Sequence, residues 1–202
     1  MKLIPATAIT EHLGTDLSDA AMAATSAISI ATAVIEARLD TLFDKATTVD
    51  TFLDVAGGVW QGSAFFTKFK LSRGFIQGNV TGSFAPTLAA FGTDEEVTGL
   101  SLVVDAEAGV VTETAADLQF QFLRLSYQAG FDVEGADPLL YKQSQVPAWL
   151  KECCKLLALV TMENVPAQEK AGTKQDTKML AKQCEAILSR RVRYAPGAVL
   201  AI

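Results

Sequence analysis

One histidine and three cysteines leave this 202-residue chain short of the side chains that most often do chemistry. His12 has no second histidine for a hydrolytic triad and no neighbouring cysteine with which to share a metal, so it reads as a surface or capping residue. Cys153 and Cys154 are adjacent, which on a helix turns their side chains about 100° apart. That suits neither a tetrahedral zinc site nor a disulfide between the two. Cys184 stands by itself on a later segment, and all three are expected as buried or half-buried structural thiols of an intracellular protein. The serines occupy no nucleophile elbow. Gly74, Gly78 and Gly82 lack both the Walker lysine and a dinucleotide fingerprint, and read as turn glycines. No catalytic residue, metal ligand or cofactor-binding residue is assigned, and no cofactor is expected. The apolar runs are short and interrupted, so no membrane span is expected. Residues 1–15 include Glu11 and His12 and lack the apolar stretch of a secretory signal.

What is present is an ordinary globular composition, 50% hydrophobic and 20% charged, which argues against disorder. The length suits one well-filled core, or a helical body with a smaller β lobe. The net charge of −6 is unevenly spread. Residues 1–60 hold 3 basic and 8 acidic side chains, residues 61–138 hold 4 and 10, and residues 139–202 hold 10 and 5. Such polarity marks either a contact surface or a solvated lysine face. Two acidic clusters, Asp94-Glu95-Glu96 and Asp132-Glu134-Asp137, fall in loop-like sequence, where a solvated turn competes with a weak divalent-ion site. Lys68, Lys70 and Arg73 alternate with aromatics, as in a nucleic-acid platform or a strand with one wet face.

The order of elements is α+β. A short helical turn closes at Gly14, and a long helix starts at Ser18 or Asp19 and runs to Phe43. Its apolar residues recur at helical spacing and charge is scarce before Glu36. Met22, Ile28, Ile30 and Val34 therefore face either the core or an identical neighbour. From about Thr51 to Tyr127 the pattern is β, with a turn at Glu107 to Gly109 between two strands and a bulge expected near Phe122. The stretch from Pro86 to Gly99 fits a loop or a short helix. Val146-Pro147 opens a second helix, since proline at the first helical position gives up no needed hydrogen bond. Its expected inward stripe is Leu150, Cys153, Cys154, Leu157, Val160 and Thr161. A third helix, about Lys174 to Arg191, carries Met179, Leu180, Cys184, Ile187 and Leu188 inward. Lys170, Lys174, Lys178 and Lys182 lie four apart on its basic face. Pro196-Gly197 then breaks the helix and leaves an apolar tail that costs free energy unless it docks.

The segments "SAISIATAVIEARLD", "LSRGFIQGNV", "VDAEAGVV", "LSYQAGF" and "VPAWLKECCKLLALVTMEN" occur in an order that resembles the head-tail connector (adaptor) proteins of tailed bacteriophages. The resemblance spans roughly residues 10–190. It implies a helical bundle of one N-terminal and two C-terminal helices with a central antiparallel β lobe. The corresponding divisions are residues 1–50 and 141–192 for the bundle, 51–140 for the lobe and 193–202 for a docking tail. It also implies a structural virion protein of the neck, not an enzyme, assembled in the host cytoplasm as a homo-oligomeric ring, typically of twelve subunits. Such a ring docks on the portal protein and seats a tail or stopper protein. Double-stranded DNA passes through its channel without sequence-specific binding, and no membrane is involved. On this reading Arg190, Arg191, Arg193, Tyr194, Val199, Leu200 and Ile202 form the portal contact. Met22, Ile28, Ile30 and Val34 form the subunit interface. Other readings are a tail-completion or stopper protein of the neck, and a small-ligand-binding protein or enzyme.

The junction "LRLSYQAGFDVEGADPLLYKQSQVP" is the most distinctive stretch. Tyr127 and Phe131 are expected to flank a Gly130 turn at the sheet's edge. Pro147 and Trp149 then start the bundle helix, so the junction's expected role is geometric.

Overall fold

A computed structural model describes residues 1–14, 18–52, 59–61, 64–113, 122–163, 177–191 and 199–200. In chain order the helices are α1 (Thr7–Leu13), α2 (Ser18–Leu39), α3 (Ala148–Glu163) and α4 (Thr177–Ser189). The strands are β1 (Ala46–Phe52), β2 (Val59–Gln61), β3 (Ala64–Lys70), β4 (Ile76–Ala85), β5 (Val97–Thr98), β6 (Leu102–Asp105) and β7 (Val110–Glu113), followed by β8 (Phe122–Ala129), β9 (Val133–Glu134), β10 (Asp137–Tyr141) and β11 (Val199–Leu200). The fold is mixed α+β. The chain divides into two compact units, Met1–Asp40 with Phe131–Val192, and Thr41–Gly130 with Arg193–Ile202.

The first unit is built on α2 and α3. Gly14 ends α1 in the left-handed conformation (φ 64°), and its N–H reaches back to Glu11 and Thr10, the expected glycine stop. Along α2 the residues Ala24, Ala27, Ile28, Ala31, Ile35 and Leu39 are buried. Five of these six are one-carbon or β-branched side chains, and α2 packs on α3. By length and composition Ala20–Leu39 is apolar enough to cross a membrane, contrary to the sequence expectation. Its buried face is nevertheless that of a core helix.

Helix α3 is buried on a wider front than one stripe. Leu150, Cys153, Cys154, Leu156, Ala158, Leu159 and Met162 are buried, whereas Leu157, Val160 and Thr161 are only half-buried. The reason is that α3 packs against α2 and also against α4. On α4 the inward residues are Leu180, Cys184 and Leu188, one turn apart, while Met179 is exposed. Cys184, solitary in sequence, meets Cys153 with an Sγ–Sγ separation of 2.6 Å. Cys154 turns the other way, and its Sγ lies 3.9 Å from Thr32 Oγ1 of α2.

The acidic stretch after Phe131 is a β-ribbon, not a loop. Strands β9 and β10 pair antiparallel, and Lys2 lies alongside β10, donating its N–H to Leu139 O (2.8 Å) and accepting from Tyr141 N (3.0 Å). Lys2 Nζ also bonds Asp137 Oδ2 at 2.9 Å, and this hydrogen bond holds the Asp137 carboxyl below its usual range. The ribbon therefore belongs with the N-terminal helices. The division between units falls at 130/131, not near residue 140 as the sequence suggested.

The second unit holds the other two sheets. One runs β1-β8-β4-β5, and the other runs β11-β3-β7-β6 with β2 also on β3. Strand β1 belongs here, so the first boundary lies at 40/41, ahead of the residue 50 expected from the change in pattern. Along β8, Leu123, Leu125, Tyr127 and Ala129 point inward with period two. They join Phe52, Phe69, Leu71, Ile76, Phe84 and Val111 in one core. Each large side chain in it contributes roughly 1.5–3 kcal/mol of burial. The turn between β6 and β7 lies where glycine predicted it, with Gly109 N bonded to Asp105 O at 2.8 Å. The register shift is on β4, between Gln77 and Thr81, where Gly78 has a φ of 73°. From Leu123 onward β8 pairs with β1 without a break and Phe122 pairs regularly with Ala85, so the bulge expected near Phe122 is not found in the described part of β8; the shift on β4 lies opposite Ser126–Gln128. The stretch after Pro86 contains a single 3-10 turn, Leu88–Ala90, and then β5.

Candidate assembly surfaces

Two kinds of site are visible, an uncharged exposed helix face in the first unit and a polar lock in the second.

Of the four residues expected to meet a neighbour, Met22 (72%), Ile30 (49%) and Val34 (47%) are exposed. Ile28 is fully buried and has no face to offer another subunit, so it is removed from the expected interface. The exposed positions recur at three and four, running Met22, Ser26, Ser29/Ile30, Ala33/Val34 and Ala37. No charged residue occurs between Ala20 and Ile35. The hydroxyls of Thr25 and Ser29 are turned inward to their own helix. Thr25 Oγ1 donates to Ala21 O (2.9 Å) and Ser29 Oγ to Thr25 O (3.0 Å). Apart from Ser26, the face thus shows water mainly methyl and methylene groups along several turns. Monomeric proteins rarely leave such a stripe open.

In the second unit Tyr127 does not stand at a sheet edge, because β8 is flanked by β1 on one side and β4 on the other. Its hydroxyl donates to Asp50 Oδ2 at 2.6 Å. Ser72 supplies Asp50 with two more hydrogen bonds, from Oγ to Oδ1 (2.7 Å) and from N–H to Oδ2 (2.6 Å). The Arg73 N–H donates to the Tyr127 oxygen at 3.2 Å, and the Arg73 guanidinium reaches the carbonyls of Leu42 and Asp44. Asp50 is 6% exposed, so these donors replace the water its carboxylate lost. The lock ties β1, the β3–β4 connection and β8 together.

Burial, and next the hydrogen bond to Asp50, push the Tyr127 hydroxyl up to about 12. Its folded value lies above its unfolded one, so its contribution is intact below pH 10 and is lost as pH rises toward 12. The slope expected from this group alone is about 1.4 kcal/mol per pH unit across that window. Tyr127→Phe should cost about 1.5–3 kcal/mol, the range for a hydrogen bond to a charged group, and should remove that alkaline slope. Urea unfolding of both proteins between pH 8 and 11.5 checks it. Parallel losses with pH in the two proteins would show that the lock does not titrate as described.

Gly130 follows β8 with a φ of 89° and donates to Phe75 O at 3.0 Å. A Cβ there would meet backbone, the carbonyls of Asp44 and Phe43, the latter at 2.6 Å. In the first unit Phe131 packs edge-on to Tyr141, with centroids 5.9 Å apart. Pro147 lies immediately before α3, not at its first position, and its carbonyl accepts from Leu150 and Lys151 N–H. Trp149 carries the Arg191 guanidinium over its ring at 5.3 Å.

Of the expected portal contact, Arg190 and Arg191 are exposed just beyond α4. Arg193, Tyr194 and Ile202 lie outside the described residues. Val199 and Leu200 pair in parallel with Phe69 and Lys70 of β3, so the backbone of these two residues is engaged there. Lys178 and Lys182 are exposed on α4, and Lys170 and Lys174 lie outside the described residues. Neither acidic cluster gathers as a metal site, and no group of three potential ligands does so among the described residues. Glu96 instead takes hydrogen bonds from Ser83 and Gly92, which hold its carboxyl below the usual range. It lines an open groove of about 490 Å³ with Ser83, Thr98, Arg124 and Ser126. The Arg124 guanidinium lies 3.9 Å over the Phe91 ring. Sequence reasoning missed the Asp50 lock and the groove, since neither has a local motif.

The fold is shared with a component of the neck of a gene transfer agent. The structure described as "Neck of empty GTA particle computed with C6 symmetry" aligns at a TM-score of 0.52 and 18% identity, covering 95% of this chain and 90% of that one. The "Virion of native gene transfer agent (GTA) particle" aligns at 0.51 and 16%, with the same coverage of both chains. No protein-family model matches the chain, and no curated protein does.

Proposed function

We propose that this chain is a structural neck protein of a tailed, phage-like particle, the adaptor subunit that docks beneath the portal as a ring. The observation that carries the reading is a fold likeness running through 95% of the chain and 90% of a neck component, with no large part of either left over. The exposed face of α2 adds to it. A ring subunit must give one patch to the neighbour on each side, and a contact of two different patches closes into a circle when the rotation fits. An uncharged, mostly apolar stripe is one such patch. The occupant is a second copy of this chain, and the neck described with C6 symmetry is an assembly of the kind such a face would serve. In this reading the chain binds no cofactor and performs no catalysis, and DNA passes through the ring. An overall charge of −6 limits phosphate contact, because affinity for DNA grows with each phosphate neutralised.

The experiment is co-sedimentation of the purified full-length chain with portal rings from the same particle. Full-length protein should pellet with the portals, and a chain lacking residues 193–202 should bind at least about 10-fold more weakly if the tail anchors it. Binding undiminished by the deletion would move the portal contact off the tail. Binding only to portals that already carry an adaptor would make this the stopper. Binding to neither would overturn the neck reading.

A further inference from the structure

The two sulfurs of Cys153 and Cys184 stand 2.6 Å apart, although the residues are 31 positions distant in sequence. Non-bonded sulfurs normally rest at about 3.5–4 Å, and a disulfide closes to about 2.05 Å, so the pair needs little displacement to bond. Both residues lie on the facing sides of packed helices, with Leu180 and Leu188 one turn either side of Cys184. Cys154, on the same helix as Cys153, faces Thr32 and is turned away from the pair. We propose that Cys153 and Cys184 form a thiol–disulfide site that takes hydrogen peroxide as oxidant and a dithiol as reductant.

Burial selects the oxidant. Cys153 is 0% and Cys184 1% exposed, which hinders a bulky disulfide reagent in the folded protein and favours a reagent close to water in size. Cys184 is the first nucleophile. The hydrogen bond from the Cys153 thiol holds the Cys184 thiol below the usual range, while the same bond and burial push Cys153 far above it. The Cys184 thiolate attacks one peroxide oxygen, the O–O bond breaks, and the other oxygen leaves as hydroxide, which takes up the proton the Cys184 thiol had released and becomes water. Cys184 is then a sulfenic acid. The Cys153 sulfur attacks that sulfur, the S–O bond breaks, the Cys153 proton goes to the departing hydroxide, and a second water leaves. Two thiols have lost two electrons and two protons, and one peroxide has become two waters. A dithiol reverses the change, itself becoming a cyclic disulfide. The closed bond ties α4 to α3 and shuts residues 154–183 into a covalent loop. It is independent of the neck reading, resting on the helices alone.

The test treats the full-length protein with hydrogen peroxide, then unfolds it, alkylates remaining thiols and maps the peptides by mass spectrometry. The expected map has Cys154 alkylated, Cys153 joined to Cys184 within one chain, and the link opened by dithiothreitol. The oxidised protein should melt higher by roughly 5 °C or more, since a loop of this length is closed in the unfolded state. Cys154→Ser should keep both the link and the shift, and Cys184→Ser should lose both. Three alkylated cysteines after peroxide, a link through Cys154 or between chains, or sulfinic acid at Cys184 without a link would each overturn the proposal. The wild-type map decides the matter even if a serine variant fails to fold.

Discussion

Gly130→Ala should destabilise the protein by about 3 kcal/mol or more, measured by urea unfolding with tryptophan fluorescence and circular dichroism in parallel. Two costs act together. At a φ of 89° an L side chain is strained by about 1–3 kcal/mol. The added Cβ also meets the carbonyls of Phe43 and Asp44, and backbone cannot swing aside as a side-chain tip can. Overpacking of that kind adds about 1–3 kcal/mol. Gly78→Ala separates the two, because Gly78 has a φ of 73° with open space around its missing Cβ. It should show the conformational cost alone, about 1 kcal/mol. Gly135→Ala, with neither the positive φ nor a neighbour within 4 Å, should stay within about 0.5 kcal/mol. Equal losses at Gly130 and Gly78 would mean that the close approach to Phe43 and Asp44 is not a constraint.

Ile30→Asp combined with Val34→Asp should abolish assembly while leaving the free subunit folded. Both side chains are about half exposed, so each change alters the isolated stability by no more than about 0.5 kcal/mol. In an assembled ring the same carboxylates would be desolvated against an apolar partner at a cost of several kcal/mol, which corresponds to a loss of at least about 100-fold in association. Ile28→Asp is the opposite case. It places a charge in the core of the first unit and should unfold the protein. Sedimentation velocity with a thermal melt of each variant distinguishes the two. If the double variant assembled as well as the parent, the α2 face would not be the contact between copies.

Elements with local causes were legible in the sequence. Gly14 stopped α1, Val146-Pro147 started α3, and Gly109 turned β6 into β7, because each depends on backbone preferences of residues within a few positions. The α2 period left its apolar residues facing either the core or a neighbour, and did not say that Ile28 belonged to the one and Ile30 to the exposed face. The two are separated by about 200° on the helix, and both are isoleucine. Interactions that join distant residues were illegible. Lys2 meets Asp137 across 135 positions and makes a ribbon of what read as an acidic loop. Asp50 meets Tyr127 across 77 positions, and Cys153 meets Cys184 across 31. No periodicity within either segment encodes such a pairing. The expected stripe on α3 was too narrow for a related reason, since its width depends on α4 lying against its second side.

The central claim is that copies of this chain close into a ring on a portal, and the most direct measurement is the number of copies bound. Portal rings saturated with the full-length protein, purified and weighed by native mass spectrometry or imaged by electron microscopy, should carry one closed ring. Its copy number should be set by the portal's own symmetry, and the Ile30→Asp, Val34→Asp variant should fail to complete it. A single bound copy, or copies scattered without mutual contact and unaffected by that variant, would contradict the account.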